Sequence, residues 1–438
     1  MRESFMSDFS EFGLAPSIAR VLEAEGYDRP TPIQQQAIPV ALEGKDLLGI
    51  AQTGTGKTLG FAAPILTRLL AEKRRAPQKS CRTLVLAPTR ELAAQIATSF
   101  RTYGKGTRLS VEVCFGGVNI NPQKARLRQG VDILVATPGR LEDLMGQKAL
   151  NLDGVSHLVL DEADQMLDLG FIHALRRIAK ALPKNRQTML FSATMPKPIR
   201  QLASEFLTDP VEVSVAPEST TAEKVDQSAY FIKREDKPRL LAEILRREEV
   251  EQVIVFTRTK HGADKLVRYL AKQDIDAAAL HGNKSQNQRL RALGAFRDKK
   301  LNVLIATDIA ARGIDISGLG HVINYELPNV PEQYVHRIGR TGRADREGNA
   351  IALVQGDEKS YLRAIEKTIR QKIVVAPLPS GFEEDLSDLP PAKRQQNQGR
   401  PQQRRSGPGR GKPGAGQSQK PRRGGNRRPQ GRKVAAKV

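Results

Sequence analysis

Short apolar runs alternate with segments of helical period along most of the chain, and this pattern predicts parallel strands joined by crossover helices. The runs are rich in Val, Ile and Leu, as expected of strands that are buried on both faces of a sheet. The first set of predicted strands covers residues 46–51, 83–87, 132–136, 157–160 and 188–191. The second set covers residues 252–256, 277–280, 302–306, 321–324 and 350–354. We therefore predict an α/β fold with parallel sheets.

The two sets of strands also resemble each other. The segment TLVLAPTRELAAQ (83–95) is an apolar strand followed by Thr-Arg and a helix, and QVIVFTRTKHGADK (252–265) has the same order. Downstream, LVAT (134–137) corresponds to LIAT (304–307), and the spacing from Thr-Arg to this motif is similar in both halves. Two tandem domains of one fold explain these repeats; chance similarity between buried strands is the alternative. The polar segment SVAPESTTAEK (214–224) between the halves is predicted to be a hinge.

Charge is concentrated at the C-terminus. Of the formal net charge of +22, the last 48 residues supply ten Arg and five Lys without any Asp or Glu. This segment is rich in Gly, Gln and Pro and contains few aliphatic residues, so we expect it to be disordered. Such a tail attracts polyanions, most plausibly nucleic acid, although a tail that only keeps the protein soluble has the same composition.

The remaining composition excludes several classes of protein. No run approaches the roughly 20 apolar residues of a membrane span, and the N-terminus lacks the features of a secretion signal, so we expect a soluble, cytoplasmic protein that does not bind membranes. Cys81 and Cys114 are too few for a disulfide framework or a four-ligand zinc site, and both adjoin apolar runs. We expect them to be small core residues.

The segment AQTGTGKT (51–58) follows the first apolar strand and precedes a helix-compatible run. In a Gly-rich turn of this kind, backbone N–H groups converge on phosphate oxygens at a helix N-terminus. Lys57 then reaches the β- and γ-phosphates, and the Thr58 hydroxyl can bind Mg²⁺. The general pattern has Gly where this chain has Ala51. A glycine-rich helix start without a ligand is the alternative.

An acidic group, DEAD (161–164), follows the predicted strand 157–160 about a hundred residues later. Alone, acids after a strand often mark a helix N-terminus, where they interact with the helix dipole. Combined with a phosphate loop, Asp161 is a candidate Mg²⁺ ligand, and Glu162 is a candidate to orient and deprotonate an attacking water. This pairing predicts a nucleotide hydrolase.

The basic motif HRIGRTGR (336–343) lies in the second half. Its arginines are three residues apart and are expected to project from nearly the same helix face or short loop, where their planar groups suit phosphate oxygens. A solvated basic turn is the alternative. The first half has no obvious arginine of this kind, and charge on the γ-phosphate must be neutralised in the transition state. We therefore predict that hydrolysis depends on closure of the second domain onto the first.

Together these motifs resemble those of DEAD-box ATP-dependent RNA helicases. The resemblance covers residues 9–345, and the compact core with a basic extension is most similar to the bacterial RhlE-type subgroup. The motifs occur in the family order: Phe9, Gly26-Tyr27, PTPIQ (30–34), AQTGTGKT, PTREL (88–92), Gly116-Gly117, TPGR (137–140), DEAD, SAT (192–194), VFT (255–257), ATDIAARGID (306–315) and HRIGRTGR. The departure at Ala51 is normal for this family.

The resemblance implies two tandem RecA-like domains and a disordered basic tail. The implied limits are a Q-motif region at 1–35, an ATP-binding domain at 36–213, a linker at 214–224, a C-terminal helicase domain at 225–376 and an RNA-binding tail at 377–438. It further implies that Gln34 reads the adenine edge, Tyr27 stacks on the ring and Phe9 supports that pocket, with ATP and Mg²⁺ as cofactors. The implied nucleotide site also contains Ala51, Gln52, Thr53, Gly54, Thr55, Gly56, Lys57, Thr58, Asp161, Glu162 and, from the second domain, Asp315, Arg340 and Arg343, the last two as arginine fingers.

The resemblance also implies an RNA site, in which Ser192 and Thr194 couple RNA to the nucleotide. Hydroxyls, Gly-Gly backbone and guanidinium groups suit phosphates and 2′-OH groups more than base edges, so binding should be largely independent of sequence. Aromatic residues are only 5% of the chain and Trp is absent, which argues against a base-stacking platform. The implied contacts are Thr89, Arg90, Gly116, Gly117, Thr137 and Arg140 in the first domain and Thr257, Arg258, Thr307 and Gly313 in the second.

The sequence thus predicts an RNA helicase that locally unwinds or remodels duplexes by RNA-stimulated ATP hydrolysis. Two other functions stay open: an ATP-clamped RNA scaffold or annealing chaperone that depends on the tail, and a DNA translocase, which the Gln34 and TPGR motifs disfavour. Ribosomal particles in ribosome assembly and the RNA-degradation machinery are the candidate partners, and cold adaptation is another possible role.

Overall fold

The structure is a computed structural model that describes residues 8–52, 54–72, 74–215, 225–247, 250–311, 316, 318–342, 348–379 and 382. The predicted hinge from 216 onward and the predicted tail from 383 onward lie outside these residues, as do four predicted site residues: Thr53, Gly313, Asp315 and Arg343. We call residues 8–215 the first lobe and the described residues from 225 to 382 the second lobe.

The first lobe is a seven-stranded parallel sheet with the strand order β3-β4-β2-β5-β6-β1-β7. Its strands are β1 (Leu47–Ile50), β2 (Cys81–Leu86), β3 (Val111–Cys114), β4 (Val131–Ala136), β5 (His157–Leu160), β6 (Gln187–Ser192) and β7 (Val211–Ser214). After a 3₁₀ helix at Phe9–Phe12, its helices are α1 (Pro16–Ala24), α2 (Pro32–Leu42), α3 (Lys57–Ala71), α4 (Arg90–Tyr103), α5 (Asn121–Leu127), α6 (Pro138–Gly146), α7 (Ala163–Asp168), α8 (Ile172–Ala181) and α9 (Lys197–Phe206).

The second lobe is a seven-stranded parallel sheet with the order β10-β11-β9-β12-β13-β8-β14. Its strands are β8 (Val225–Phe231), β9 (Val253–Thr257), β10 (Ala277–Leu280), β11 (Val303–Thr307), β12 (His321–Asn324), β13 (Gly348–Val354) and β14 (Val374–Val375). Its helices are α10 (Lys237–Leu245), α11 (Lys260–Ala271), α12 (Gln286–Arg297), α13 (Asp308–Ala311), α14 (Pro331–Ile338), a 3₁₀ helix at Gly356–Glu358 and α15 (Lys359–Ile369).

The two lobes have one topology. Subtracting seven from each strand number of the second sheet gives the strand order of the first sheet. The repeated segments found in the sequence occupy equivalent places, since β2 and β9 are the third strands of their sheets and β4 and β11 the second. The prediction of two tandem α/β domains with parallel sheets is confirmed.

The core of each lobe lies on both faces of its sheet. Alternate residues of β2 face opposite sides, with Val85 in one apolar cluster and Leu84 and Leu86 in the other. Strand β9 alternates in the same way between the two faces of the second sheet. Cys81 and Cys114 are buried free thiols, and burial raises the pKa of both, which agrees with the prediction that they fill the core. No helix in the described part of the chain is both long and apolar enough to cross a membrane.

All ten predicted strands are present, but β3, β7, β8 and β14 were not predicted. Three of these four are edge strands, which lack a second neighbouring strand. In β3 and β7 most side chains are only partly buried or exposed, and β14 exposes both of its valines. Because an edge strand is half-solvated, its sequence lacks the continuous apolar run on which the prediction relied.

Candidate functional site

The phosphate loop connects β1 to α3, as its sequence predicts. Gly54 and Gly56 have φ angles of 85° and 88°, which only glycine adopts without strain. A side chain on Gly56 would also collide with the amide of Gln34. The loop ends at Lys57, the first residue of α3. The first N–H groups of a helix have no intrahelical partner and stabilise an anion, and Gly56, Lys57 and Thr58 at this helix start line a cleft of the first lobe.

The start of α2 is hydrogen-bonded to this loop. The Thr31 hydroxyl donates to the Thr55 carbonyl oxygen at 2.8 Å, and Gln34 Nε2 donates to the Gly56 carbonyl oxygen at 3.1 Å. Gln34 Oε1 accepts from the Thr31 N–H at 2.8 Å, which completes a capping box at the start of α2. Gln34 thus links α2 to the phosphate loop.

Lys57 and the DEAD carboxylates line the same cleft. Lys57 is 5% exposed, and its Nζ donates to the Ala51 carbonyl oxygen at 2.9 Å. Burial raises the pKa of the Asp161 carboxyl; the Lys57 ammonium opposes this rise and the Glu162 carboxylate adds to it. Glu162 is buried with a φ of 55°, a conformation that costs a non-glycine residue about 1–3 kcal/mol and is concentrated at active sites. The cleft therefore combines a helix start, whose N–H groups suit an anion, with two buried carboxylates.

Asp164, which sequence reasoning did not assign a role, connects this acidic group to the SAT motif. Its Oδ2 accepts from the Ala193 and Thr194 N–H groups at 3.2 and 2.9 Å and from the Thr194 hydroxyl at 3.0 Å. The Ser192 hydroxyl donates to the Thr194 carbonyl oxygen at 2.7 Å. Ser192 ends β6, which lies between β5 and β1 in the sheet. A shift of the SAT segment would therefore act directly on the acidic residues.

The cleft has a volume of about 340 Å³. One end contains the phosphate loop and the carboxylates, and the other end is aromatic and apolar. The predicted residues Gln34, Gly54, Gly56, Lys57, Thr58, Asp161, Glu162 and Tyr27 all line it, together with Leu59 and with Leu92, Gln95, Ile96, Ser99 and Tyr103 of α4, which the sequence did not indicate. Phe9 is buried with its ring centroid 6.5 Å from that of Tyr27, in an edge-to-face arrangement.

A second group of predicted residues lies at the carboxyl ends of β2, β3 and β4. Thr89 caps α4 by accepting from the Leu92 N–H at 3.2 Å. The guanidinium of Arg90 lies against Gly117, whose φ of 74° and lack of a side chain leave room for it. Arg140 Nη2 donates to the Val118 carbonyl oxygen at 3.0 Å. These residues therefore lie together at the carboxyl ends of three neighbouring strands of the first sheet: Thr89, Arg90, Gly116, Gly117, Thr137 and Arg140.

The corresponding edge of the second lobe carries Thr257 and Thr307. These two residues are paired in register at the ends of β9 and β11. Arg258 follows Thr257, but its Nη2 lies 3.4 Å from Glu358 Oε1 and 3.8 Å from Glu326 Oε1. These carboxylates would compete with a phosphate for Arg258, so its predicted RNA contact has less support in the structure than those of the first lobe.

The structure describes two arginines of HRIGRTGR, Arg337 and Arg340, and both line the same small hollow. Arg337 lies in α14 and is 2% exposed; its Nε and Nη2 donate to the two carboxylate oxygens of Asp308 at 2.6 and 2.8 Å. Arg337 therefore stabilises the second lobe. Arg340 lies beyond the end of α14, is 6% exposed and lines a small hollow with Gln333, His336 and Asp308. The prediction that Arg340 and Arg343 act as fingers rests on the resemblance.

One contact that the sequence did not indicate joins the two lobes. Glu91, the acid of PTREL, is 2% exposed. Its Oε1 accepts from Gln286 Nε2 at 2.8 Å, and its Oε2 pairs with Arg289 Nη2 at 3.0 Å. Both partners belong to α12 of the second lobe. The residue next to the predicted RNA contact Arg90 is therefore held by the second lobe.

Comparisons with known proteins agree with this architecture. The family model described as DEAD/DEAH box helicase matches residues 31–202, and the model described as helicase conserved C-terminal domain matches residues 236–345. The chain is 41% identical over 377 residues to the ATP-dependent RNA helicase CshA of Limosilactobacillus reuteri, covering 86% of this chain and 74% of that one. It is 41% identical over 381 residues to the RNA helicase CrhR of a Synechocystis strain, covering 87% and 76%.

Solved structures have the same two-lobed architecture. Saccharomyces cerevisiae Dbp5 bound to RNA and ADP BeF3 matches with a TM-score of 0.75 and 32% identity, covering 85% of this chain and 96% of that one. The L327V variant of Dbp5 bound to Gle1 H337R and IP6 matches with a TM-score of 0.68 at the same identity, covering 85% and 95%. The prediction of tandem RecA-like domains is confirmed by these matches.

Proposed function

Because this chain belongs to the DEAD-box family of ATP-dependent RNA helicases, we propose that it opens short RNA duplexes locally by closing its two lobes around ATP and one RNA strand. The main observation behind this proposal is that one helix, α4, contacts all three parts of the machinery. This helix lines the nucleotide cleft, begins at the predicted RNA contacts and contacts the second lobe through Glu91. Nucleotide, RNA and the second lobe thus share one rigid element.

Within the cleft, the proposed roles follow the chemistry of each end. Lys57 and the start of α3 bind the phosphates, and the ring of Tyr27 and the amide of Gln34 bind the adenine. The buried Asp161 carboxylate and the Thr58 hydroxyl supply the oxygen ligands that Mg²⁺ prefers. When bound, Mg²⁺ would neutralise phosphate charge. Glu162 orients the attacking water and accepts its proton.

We propose that the second lobe completes the site for hydrolysis. In this proposal Arg340 and Arg343 supply positive charge to the γ-phosphate and Asp315 binds the sugar of the nucleotide; the roles of Arg343 and Asp315 rest on the resemblance alone. An arginine of this kind raises the rate of phosphoryl transfer about 10³- to 10⁵-fold. Hydrolysis then depends on lobe closure, and closure depends on RNA, since the two sheet edges that carry the hydroxyl and arginine residues bind the same strand.

RNA recognition is proposed to be independent of base sequence. The groups on the first lobe are hydroxyls, glycine backbone and guanidinium groups, which suit phosphates and 2′-OH groups. The segment 391–438, with fifteen cationic side chains, adds non-specific affinity. Deleting this segment should weaken RNA binding but leave ATP hydrolysis responsive to RNA.

The finer assignments have less support. The RhlE-type subgroup was predicted from the compact core and the basic extension, whereas the relatives described above are named CshA and CrhR. Ribosomal particles, the RNA-degradation machinery and a cytoplasmic location are likewise proposals. Crosslinking the protein to RNA in cells and sequencing the attached RNA tests the two proposed partners. Mostly ribosomal RNA would support ribosomal particles, and mostly RNA undergoing degradation would support the degradation machinery.

A strand-displacement assay tests the proposed function. The full chain and the chain ending at residue 390 are mixed with a short RNA duplex, with a DNA duplex of equal length, and with or without ATP. We expect both proteins to displace RNA in the presence of ATP and to act poorly on DNA. Loss of all activity on truncation would favour the RNA scaffold or annealing chaperone, and equal activity on DNA would favour a translocase.

A further inference from the structure

The aromatic end of the nucleotide cleft contains a tyrosine pair. Tyr27, which lies in the loop between α1 and α2, is 36% exposed at the rim of the cleft. Tyr103, the last residue of α4, is 6% exposed and lines the same cleft. The two hydroxyls share a hydrogen bond of 3.0 Å, and the ring centroids are 5.7 Å apart with an angle of 82° between the planes. The rings thus meet edge to face and are joined at their polar ends.

The loop alone does not fix the ring of Tyr27. Its backbone N–H donates to the Leu22 carbonyl oxygen at 3.0 Å, which fixes the main chain but leaves the side-chain torsions free. The ring is instead held between Phe9 and Tyr103, both of which meet it edge to face. Such pairs add attraction beyond that of the buried apolar area. The hydrogen bond between the two hydroxyls is directional, so it limits the rotation of the Tyr27 ring relative to the cleft.

Tyr103 also belongs to the helix that starts at the predicted RNA contacts. Thr89 caps the first turn of α4, and Arg90 is its first residue. Leu92, Gln95, Ile96 and Ser99 of the same helix line the cleft between these ends. A helix of 14 residues is about 20 Å long and stiff, so its two ends move together.

We propose that Tyr103 is a positioning residue for the nucleotide base: its hydroxyl holds the Tyr27 ring in the orientation that stacks on the adenine. This inference rests on the proposed ATP site and names a residue outside the motifs quoted for the family. Tyr103 acts through Tyr27 and takes no part in phosphate chemistry. In this arrangement the end of α4 affects binding of the base, whereas the start of α3 binds the phosphates.

The test compares Tyr103→Phe with the unmodified full chain. This substitution removes the hydroxyl and keeps the ring, so folding should be retained, which a thermal melt verifies. The dissociation constant for ATP, measured at equilibrium without RNA, should rise about 2- to 12-fold, the value of one lost hydrogen bond. The turnover rate at saturating ATP and the RNA concentration for half-maximal rate should not change. Tyr361→Phe, in the second lobe, controls for loss of a tyrosine hydroxyl elsewhere.

A double substitution separates positioning from a general loss of packing. Tyr27→Phe removes the same bond from its other side, so the protein with both substitutions should bind ATP no more weakly than the weaker single variant. Binding of inorganic triphosphate, which has no base, should be the same in all variants. Unchanged ATP affinity in a folded Tyr103→Phe protein, full additivity of the two substitutions or an equal loss for triphosphate would each overturn the inference.

These outcomes can be told apart from failure of the proposed function. If the unmodified chain binds ATP but its hydrolysis does not respond to RNA, the helicase proposal fails, while the equilibrium binding constants still decide the role of Tyr103. If the unmodified chain does not bind ATP, both proposals fail together.

Discussion

Replacing Arg289 with alanine should uncouple ATP binding from RNA binding. Arg289 Nη2 lies 3.0 Å from Glu91 Oε2, and this is a contact between the two lobes. The Glu91 side chain is 2% exposed and that of Arg289 11%, so neither charge is well solvated. Burial lowers the pKa of Arg289 and Glu91 opposes this shift, as expected for a desolvated ion pair. After the substitution Gln286 still donates to Glu91 across the lobes.

The size of the effect follows from this geometry. A hydrogen bond to a charged group contributes about 1.5–3 kcal/mol, so losing it should weaken the association of the two lobes about 10- to 150-fold. By linkage, the factor by which ATP increases RNA affinity and the factor by which RNA increases ATP affinity must fall equally. Each lobe keeps its own fold, because the pair lies between them.

The assay measures RNA affinity with and without a non-hydrolysable ATP analogue, and the ratio of the two affinities is the coupling. Arg291→Ala is a matched control, since Arg291 lies on the same helix but is exposed. We expect the ratio to fall for Arg289→Ala and to stay unchanged for Arg291→Ala. Adding Glu91→Ala to Arg289→Ala should lower the ratio further, because it also removes the hydrogen bond from Gln286 to Glu91. Equal ratios for the two arginine variants would refute the role of this contact.

Three further predictions concern the first lobe. Glu162→Gln should lower the rate of ATP hydrolysis about 10²- to 10⁴-fold with ATP and RNA affinity retained, and a rate near that of the unmodified protein would exclude Glu162 as the base. Gly56→Ala should weaken ATP binding at least about tenfold, because φ is 88° and the methyl group collides with Gln34, whereas Gly146→Ala, with open space around it, should bind ATP normally; equal affinities would contradict the loop geometry. Burial, and then the charge of Arg68, lower the pKa of His157 to about 4. The neutral His157 side chain therefore contributes fully to the stability of the fold above about pH 6.5, and this contribution is lost as the pH falls towards 4. By linkage, the free energy of unfolding should fall by about 2 kcal/mol at pH 5. Between pH 7 and pH 5, the free energy of unfolding in urea should fall less for His157→Gln than for the unmodified protein. An equal fall in both proteins would contradict the role of His157.

The sequence predicted the central strands because these are apolar on both faces. Strand β9 is buried along its whole length and was visible as a continuous run of Val, Ile and Phe. Strand β7 alternates between buried and exposed residues at the sheet edge and gave no such signal. Topology could be anticipated only as a repeat, because strand order depends on pairing between residues that are far apart in the chain.

The candidate site was predictable where its chemistry lies within one short motif. Lys57 and Asp161 each follow a buried strand, and parallel strands bring their carboxyl ends together at one edge of the sheet. Asp164 bonds to Thr194 across 30 positions, and Glu91 bonds to Gln286 across 195, so no local pattern relates these partners. Tyr103 was missed for the same reason, since it looks like any apolar position near the end of a helix.

ATP hydrolysis by the chain ending at residue 390, measured at saturating ATP with and without single-stranded RNA, shows whether the two lobes couple RNA to the nucleotide. Truncation removes the basic tail, so any response to RNA must come from the two lobes. We expect RNA to raise the rate, because the arginines of the second lobe, which contribute about 10³- to 10⁵-fold to hydrolysis, complete the site only when RNA closes the lobes. Equal rates with and without RNA would contradict it, because the first lobe would then hydrolyse ATP without closure of the second.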